Sequence, residues 1–186
     1  GDYAKGTKNT PVSSGGVYAF DVLEGSGTNR ALGGQPTGGD FTPGAFVFKL
    51  DNHTGSGITQ MEIAFKVYLR NDQDSATRVT WQDSLDGTNF TQVGIDHATS
   101  VVSAGASAAW ELNTDIQLAV NLNASELAND SSYYFRFFVE DAGGSGNWDE
   151  FAIDDISFTA TRAVPEPASM MIILGGTALL LRRCTH

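Results

Sequence analysis

Short runs of alternating apolar and polar residues, separated by turn-forming residues, constrain the fold of this 186-residue chain more than any other feature. The longest run spans 58–69 and places every second residue from Ile63 to Leu69 on one apolar face. Further β-rich runs occupy 17–23, 45–50, 78–84, 90–93, 109–112, 116–120, 133–140 and 151–159. Successive side chains of a strand point to opposite faces, so this pattern predicts an all-β fold. We expect a jelly-roll-like antiparallel β-sandwich.

The segments between these runs carry little helical signal. A single helical turn is expected over 124–129, and 70–77 and 141–149 are expected to be surface loops. Strands do not alternate with helices, so no Rossmann or P-loop nucleotide site is expected. Asp86-Gly87 lies between two β-rich runs and predicts a tight turn with a positive φ at the glycine.

The charge of the chain is strongly negative. Its formal net charge is −11, and residues 1–163 contain 9 of the 11 Lys and Arg but 21 of the 22 Asp and Glu. Such an acidic surface argues against nucleic acid and anionic lipid as partners. It is typical of an exported protein that must stay soluble, and it also provides ligands for calcium. The only cysteine is Cys184, so residues 1–163 contain no disulfide and no thiol nucleophile.

The last 23 residues differ in character from the rest and divide the chain into a domain at 1–163 and a tail at 164–186. The tail consists of a proline-rich motif, an uncharged apolar stretch at 168–181 and a basic end; its key residues are Val164, Pro165, Glu166, Pro167, Arg182 and Arg183. A helix over 168–181 would be about 21 Å long, short for a hydrocarbon core of about 30 Å unless the bilayer thins and the arginines snorkel. Positive flanks stay cytoplasmic, so we expect a membrane helix with residues 1–163 outside the inner membrane.

These three elements, in this order, resemble the PEP-CTERM sorting signal of Gram-negative, exopolysaccharide-producing bacteria. The resemblance implies that exosortase, a membrane protease-transpeptidase, cleaves near Pro165-Glu166-Pro167. It also implies transient anchoring in the inner membrane, followed by delivery to the cell surface or extracellular matrix. The terminal Cys184-Thr185-His186 departs from the family pattern. Two alternatives remain: an uncleaved single-span anchor and a buried core element. Family members begin with a secretory signal peptide, which we expect upstream of Gly1.

A second resemblance lies at the end of the domain. The segment 133–141, a glycine-rich loop and the segment 149–158, with its Ile153-Asp154-Asp155-Ile156 pattern, resemble the closing strand pair of galactose-binding-like and MAM-like jelly-roll domains. The resemblance implies a fold and leaves the ligand open, because such folds carry many activities.

Acidic residues around this loop are candidate metal ligands. Calcium takes six to eight oxygen ligands, which loop carboxylates and backbone carbonyls supply. The candidates for a structural calcium site are Asp141, Asp149, Glu150, Asp154 and Asp155. Asp154 and Asp155 are adjacent on a strand and should point to opposite faces, so both are not expected in one site. The alternative is that these carboxylates are solvated or bond to the loop.

Trp148 follows the glycine-rich loop and could stack on a sugar ring of a bound glycan, or fold back as a lid on the core. Catalytic residues are not expected, because the domain has only His53 and His97 for general acid–base chemistry. We therefore expect a non-enzymatic surface or exopolysaccharide-matrix protein with a structural, adhesive or glycan-binding role. The rival is a secreted carbohydrate-active enzyme on the same fold, since glycosidases need only two carboxylates.

Overall fold

The computed structural model describes residues 4–23, 25, 27–41 and 43–162, which form two β-sheets packed face to face. The strands are β1 (Ala4–Lys8), β2 (Gly16–Phe20), β3 (Ala31–Gln35), β4 (Gly44–Asp51), β5 (Ile58–Arg70), β6 (Ser75–Ser84), β7 (Thr91–Gln92), β8 (His97–Ala98), β9 (Glu111–Asn121), β10 (Ser132–Gly144) and β11 (Glu150–Arg162). No helix occurs in the described residues. The predicted all-β sandwich is confirmed.

The two sheets differ in size and are built from alternating parts of the chain. The larger sheet has the order β1-β2-β3-β11-β5-β9 and the smaller the order β4-β10-β6-β7, with β8 also paired to β6. All pairs are antiparallel except β1 with β2. Strands β3 to β6, and then β9 to β11, lie alternately in one sheet and the other, as in a jelly roll.

Aromatic side chains fill the space between the sheets. Phe65 of β5 packs edge-on against Phe137 of β10, with ring centroids 4.8 Å apart, and against Trp81 of β6 at 5.1 Å. The alternating residues from Ile63 to Leu69 are all buried, as the sequence pattern predicts. This rigid interior fixes which residues of β10, β6 and β4 point outward.

Several local predictions need correction. The two short strands expected at 109–112 and 116–120 are one continuous strand, β9, and β10 extends into the expected loop at 141–149 as far as Gly144. The helical turn expected at 124–129 is absent, because the backbone of Leu127 pairs with Ile58 instead. The tight turn at Asp86-Gly87 is present, with φ of 72° at the glycine.

Candidate functional site

The outer face of the smaller sheet carries aromatic side chains where a solvent-facing strand usually carries polar ones. On β10, Tyr134, Arg136 and Phe138 alternate with fully buried aromatic residues and point away from the core. All three are half-buried. We call Tyr134, Arg136 and Phe138, together with Phe90 and Gln82 beside them, the β10 face.

Arg136 lies at the centre of the β10 face and is held on three sides. Its guanidinium carbon lies 3.9 Å from the ring centroid of Phe90 and 4.9 Å from that of Phe138. Its Nε donates a hydrogen bond to Oε1 of Gln82, at 2.7 Å. Burial lowers the pKa of the Arg136 guanidinium below its ordinary value. The side chain is therefore preorganised, with its charge partly removed from water.

A rigid turn supports one end of the β10 face. Oδ1 of Asp86 accepts hydrogen bonds from the backbone N–H groups of Thr88 and Asn89, each at 2.7 Å. These bonds hold the pKa of Asp86 far below its ordinary 3.8. A Cβ on Gly87 would lie 2.9 Å from Cζ of Tyr134, so the turn backbone packs directly against this ring. The turn that the sequence predicts thus has a positional role.

The neighbouring strands complete the β10 face with short or flexible side chains. Register pairs Val47 and Gln82 with Arg136, and Ala45 and Thr80 with Phe138. Val47 is 54% exposed. Tyr134 and Phe138 are four residues apart, or about 13 Å along a strand. The face can therefore contact several units of an extended polymer.

The outer face of the larger sheet has a different chemistry. A groove of about 470 Å³ runs across β5, β9 and β11. Its lining residues are Glu62, Ile63, Ala64, Gln117, Leu118, Ala119, Ser157 and Thr159, and this lining includes no aromatic ring. The groove provides hydrogen-bonding groups but no platform for stacking.

A second unusual region is buried where β11 begins, and Glu150 there alternates with Phe151 and so faces away from the aromatic core between the sheets. Glu150 pairs with Arg70 of β5, and extending the register of β11 with β3 places Gln35 on its other side. Glu150 and Asp149 are fully buried, and Asp72 is 6% exposed. We call Asp72, Asp149 and Glu150 the buried carboxylate cluster.

Hydrogen bonds satisfy this cluster only in part. Oε1 of Glu150 accepts from the Val12 N–H at 2.7 Å, and Oδ1 of Asp149 accepts from the Gln73 N–H at 2.8 Å. Five buried oxygens have no hydrogen-bond donor among the described residues: Oε2 of Glu150, Oδ2 of Asp149, both carboxylate oxygens of Asp72 and Oε1 of Gln35. Unsatisfied buried oxygens at this density call for a proton or a cation.

The pKa shifts in the cluster have the same physical origin. Burial, followed by the neighbouring Asp72, raises the pKa of Glu150 well above its ordinary 4.5. Burial likewise raises the pKa of Asp149 from 3.8 to about 6. Burial therefore disfavours the charged forms of both groups, and the charge of Arg70 beside Glu150 opposes this effect only in part.

The structure brings together two of the five predicted calcium ligands and separates the other three. Asp141 accepts a hydrogen bond from the Gly143 N–H, and Asp154 accepts one from the side-chain amide of Asn29. Asp155 lies at a bulge of β11 and forms an ion pair with Lys66, at 2.6 Å. Among the described residues, no three Asp, Glu, His or Cys side chains converge as a metal-binding group.

Trp148 lies beside the buried carboxylate cluster. It is 5% exposed. Its backbone N–H donates a hydrogen bond to the Pro36 carbonyl, and its backbone carbonyl accepts one from Nε2 of Gln35. Trp148 thus folds back onto the domain as a lid, which was the alternative to stacking on a sugar ring. Half-buried aromatic rings that point away from the core occur on the β10 face instead.

Sequence reasoning missed the β10 face, Asp72 and Gln35. The segment 133–140 does contain a signal for the face, because aromatic residues occupy both of its alternating sets. A strand covered on one side normally has polar residues on the other. Asp72 and Gln35 carry no such signal, since only the fold brings them to Glu150.

The sorting tail at 164–186, including the expected membrane helix at 168–181, lies outside the described residues. Within the described part of the chain, no helix is long and apolar enough to cross a bilayer.

Solved structures similar to the domain at low identity include carbohydrate-binding modules and an adhesin domain. A family 28 carbohydrate-binding module specific for non-crystalline cellulose is 10% identical, with a TM-score of 0.44 over 77% of this chain and 79% of that one. The CBM22-1 xylan-binding domain of Paenibacillus barcinonensis Xyn10C is 9% identical, with a TM-score of 0.44 over 81% and 83%. The K3 adhesin domain of Lys-gingipain from Porphyromonas gingivalis is 17% identical, with a TM-score of 0.40 over 73% and 76%.

No family model matches the chain. No curated protein matches it either.

Proposed function

We propose that this protein is an exported, non-catalytic β-sandwich that binds polysaccharide through the β10 face. The observation that carries the proposal is the outward aromatic pair Tyr134 and Phe138, with Arg136 fixed between them in sequence. Aromatic rings offer flat apolar surfaces to the C–H faces of sugars, and the polar groups beside them bond to hydroxyls. Sites of this kind combine a few apolar platforms with well-placed polar groups.

An extended glycan fits this face better than a compact ligand. The outward side chains lie along β10 over about 13 Å, and short side chains from β4 and β6 border them. The surface is open rather than enclosed, so a chain can lie across it with both ends free. A module of this kind binds along polymer chains and need not recognise their ends.

The test is co-sedimentation of the full chain with insoluble and gel-forming polysaccharides. The wild-type protein should enter the pellet, and the double variant Tyr134→Ala/Phe138→Ala should stay in solution. The matched control is Gln117→Ala/Ser157→Ala in the groove of the opposite face, which should pellet like wild type. Equal loss in both double variants, or no pelleting of the wild type, would reject the β10 face as the binding surface.

A structural calcium ion in the buried carboxylate cluster is a second part of the proposal. The orphaned oxygens of Glu150, Asp72 and Gln35 are hard donors of the kind calcium prefers. Because two carboxylates and one amide do not complete a calcium shell, main-chain carbonyls or water would supply the rest. Calcium there would compensate the buried charge and join β11 to the segment after β5.

Export and processing by exosortase complete the proposal, and they rest on the motif at 164–167, the apolar stretch at 168–181 and Arg182-Arg183. In an exosortase-containing host, the protein should lose its tail and appear at the surface or in the exopolysaccharide matrix. In a strain lacking exosortase, the uncut form should remain in the inner membrane. Release of intact protein without the enzyme would reject this route, and uncut protein in the membrane of both strains would favour the single-span anchor.

The non-catalytic assignment is also a proposal. His53 contacts Asp130 at an exposed end of the domain, and His97 stacks on Trp81. Neither arrangement is an acid–base pair beside the β10 face. Incubation with polysaccharide should release no new reducing ends; if it does, the protein is the rival carbohydrate-active enzyme.

A further inference from the structure

We infer that the glycan recognised by the β10 face carries carboxylate groups, such as the uronic-acid units of an acidic polysaccharide, and that Arg136 binds them. This inference rests on the proposed function and specifies its ligand class. It follows from how the cations of this face are paired.

Arg136 differs from the other two cations on the outer side of the smaller sheet. Lys49 forms an ion pair with Asp51 at 2.7 Å. Arg78 is paired with Glu140 and with Asp96, each at 3.2 Å. Among the described residues, Arg136 has no carboxylate partner, although the protein has twice as many acidic as basic residues.

The partners of Arg136 leave its carboxylate-binding edge available. Gln82 takes the Nε hydrogen, and Phe90 and Phe138 contact the guanidinium. The two terminal nitrogens have no hydrogen-bond acceptor among the described residues. A planar carboxylate can bond to both in a bidentate pair. Because the rings and Gln82 already fix the side chain, little conformational entropy is lost on binding.

The environment of Arg136 favours a carboxylate over a neutral hydroxyl. Its guanidinium is half-buried beside two aromatic rings, so folding has already removed part of its hydration. An anion bound there would compensate the charge that water no longer solvates. A hydroxyl would accept a hydrogen bond without balancing this charge. A carboxylate supplies the opposite charge and can accept two parallel hydrogen bonds from the guanidinium.

The acidity of the whole protein limits the kind of anion. A formal net charge of −11 repels densely charged polymers such as nucleic acids. One uncompensated cation on an aromatic surface fits a polymer in which a carboxylate recurs among stacking sugar rings. The ligand class is therefore an acidic polysaccharide rather than a polyphosphate.

The experiment compares polymers that differ only in the carboxylate. Gellan and xanthan, whose uronic-acid units are spaced by neutral sugars, are each tested beside their own carboxyl-reduced, neutral derivatives by affinity electrophoresis with the full chain. The wild type should bind an acidic form about tenfold or more tightly than its reduced derivative, because only the acidic form supplies a balancing charge and a second parallel hydrogen bond. Arg136→Gln should lower that preference to within about twofold, and Arg136→Lys should retain part of it.

The matched control is Lys66→Gln, which removes one positive charge from the opposite face. This variant should keep the preference of the wild type; equal losses in both Gln variants would show a general charge effect and overturn the inference. Equal binding of acidic and reduced polymers would overturn it while leaving the proposed function intact. Binding of none of the four polymers would overturn both.

Discussion

Two regions of this domain reverse the usual distribution of side chains, and they do so in opposite directions. On the β10 face, aromatic rings lie at the surface. In the buried carboxylate cluster, acidic groups lie in the interior with oxygens unsatisfied among the described residues. Folding stability alone favours neither arrangement, since apolar groups gain by burial and charges lose by it. This contrast supports the proposal that the surface region binds a ligand and that the interior one holds a cation or a proton.

The largest expected effect is the loss of folding stability when a buried aromatic side chain is removed. Trp148→Ala should lower the free energy of unfolding by about 3–5 kcal/mol, because it empties a filled interior site. Polysaccharide binding by the remaining folded protein should stay unchanged. Denaturant unfolding and co-sedimentation below the transition measure the two effects. If a folded Trp148→Phe variant lost polysaccharide binding, Trp148 rather than the β10 face would be the residue that stacks on the sugar.

Removing rings from the β10 face should have the reverse profile. Tyr134→Ala/Phe138→Ala should weaken polysaccharide binding by about 2–4 kcal/mol, the cost of losing two anchor side chains. Stability should fall less than for Trp148→Ala, because both rings are only half-buried. Titration calorimetry and thermal melts report the two quantities. A large loss of stability without a change in affinity would contradict the distinction between the regions.

Calcium should stabilise the domain through the buried carboxylate cluster. The effect should be larger at high pH, where the carboxylates are deprotonated. Saturation at about 100 times the dissociation constant adds about 2.7 kcal/mol, or roughly 5–10 °C in melting temperature for a domain of this size. Thermal melts with calcium and with chelator measure this shift. Glu150→Gln should abolish most of it, because the neutral amide cannot compensate the ion. An unchanged melting temperature in the wild type would reject the calcium site.

The same cluster predicts how stability depends on pH without calcium. Glu150 and Asp149 have folded-state pKa values above their unfolded values of 4.5 and 3.8, so the native state binds more protons. Stability should therefore fall as pH rises from about 4 through 6 and beyond. Chelated protein should melt at a higher temperature at pH 5 than at pH 8, and calcium should reduce this difference. Glu150→Gln should make the melting temperature less dependent on pH. An unchanged dependence in this variant would show that other titratable groups cause it.

The smallest expected effect tests the turn beneath the β10 face. Gly87→Ala places a Cβ 2.9 Å from Cζ of Tyr134 at a φ of 72°, so both the backbone and the ring must adjust. The cost should be about 1–2 kcal/mol in stability, with a several-fold loss of affinity. Gly38→Ala is the control, since its Cβ would meet nothing within 4 Å. Identical behaviour of the two variants would show that the turn does not position Tyr134.

The sequence predicts the long strands well because their packing is encoded locally. Every second residue from Met61 to Leu69 in β5 and from Tyr133 to Val139 in β10 is apolar, and the core needs only that period. Strand β3 escapes prediction because Ala31-Leu-Gly-Gly-Gln35 lacks the alternation. Gly33 is present because a Cβ there would lie 2.1 Å from the Phe151 carbonyl oxygen, a constraint visible only once β3 and β11 are paired.

The candidate site is less predictable, because its members meet only through the pairing of strands. Proximity in sequence groups Asp149 with Glu150, but it also groups them with Asp155, which lies at a bulge and pairs with Lys66. Asp72 joins the cluster from the segment after β5. On the β10 face, the aromatic residues are visible in the sequence, but the lack of a carboxylate partner for Arg136 depends on its neighbours in β4 and β6.

Hydrogen–deuterium exchange of the full chain, with and without an acidic polysaccharide, tests the central claim most directly. Binding at the β10 face predicts increased protection in peptides from β4, β6 and β10 and in the turn at 84–90, with β9 unchanged. Protection confined to β5, β9 and β11 would place the ligand in the opposite groove and contradict the account.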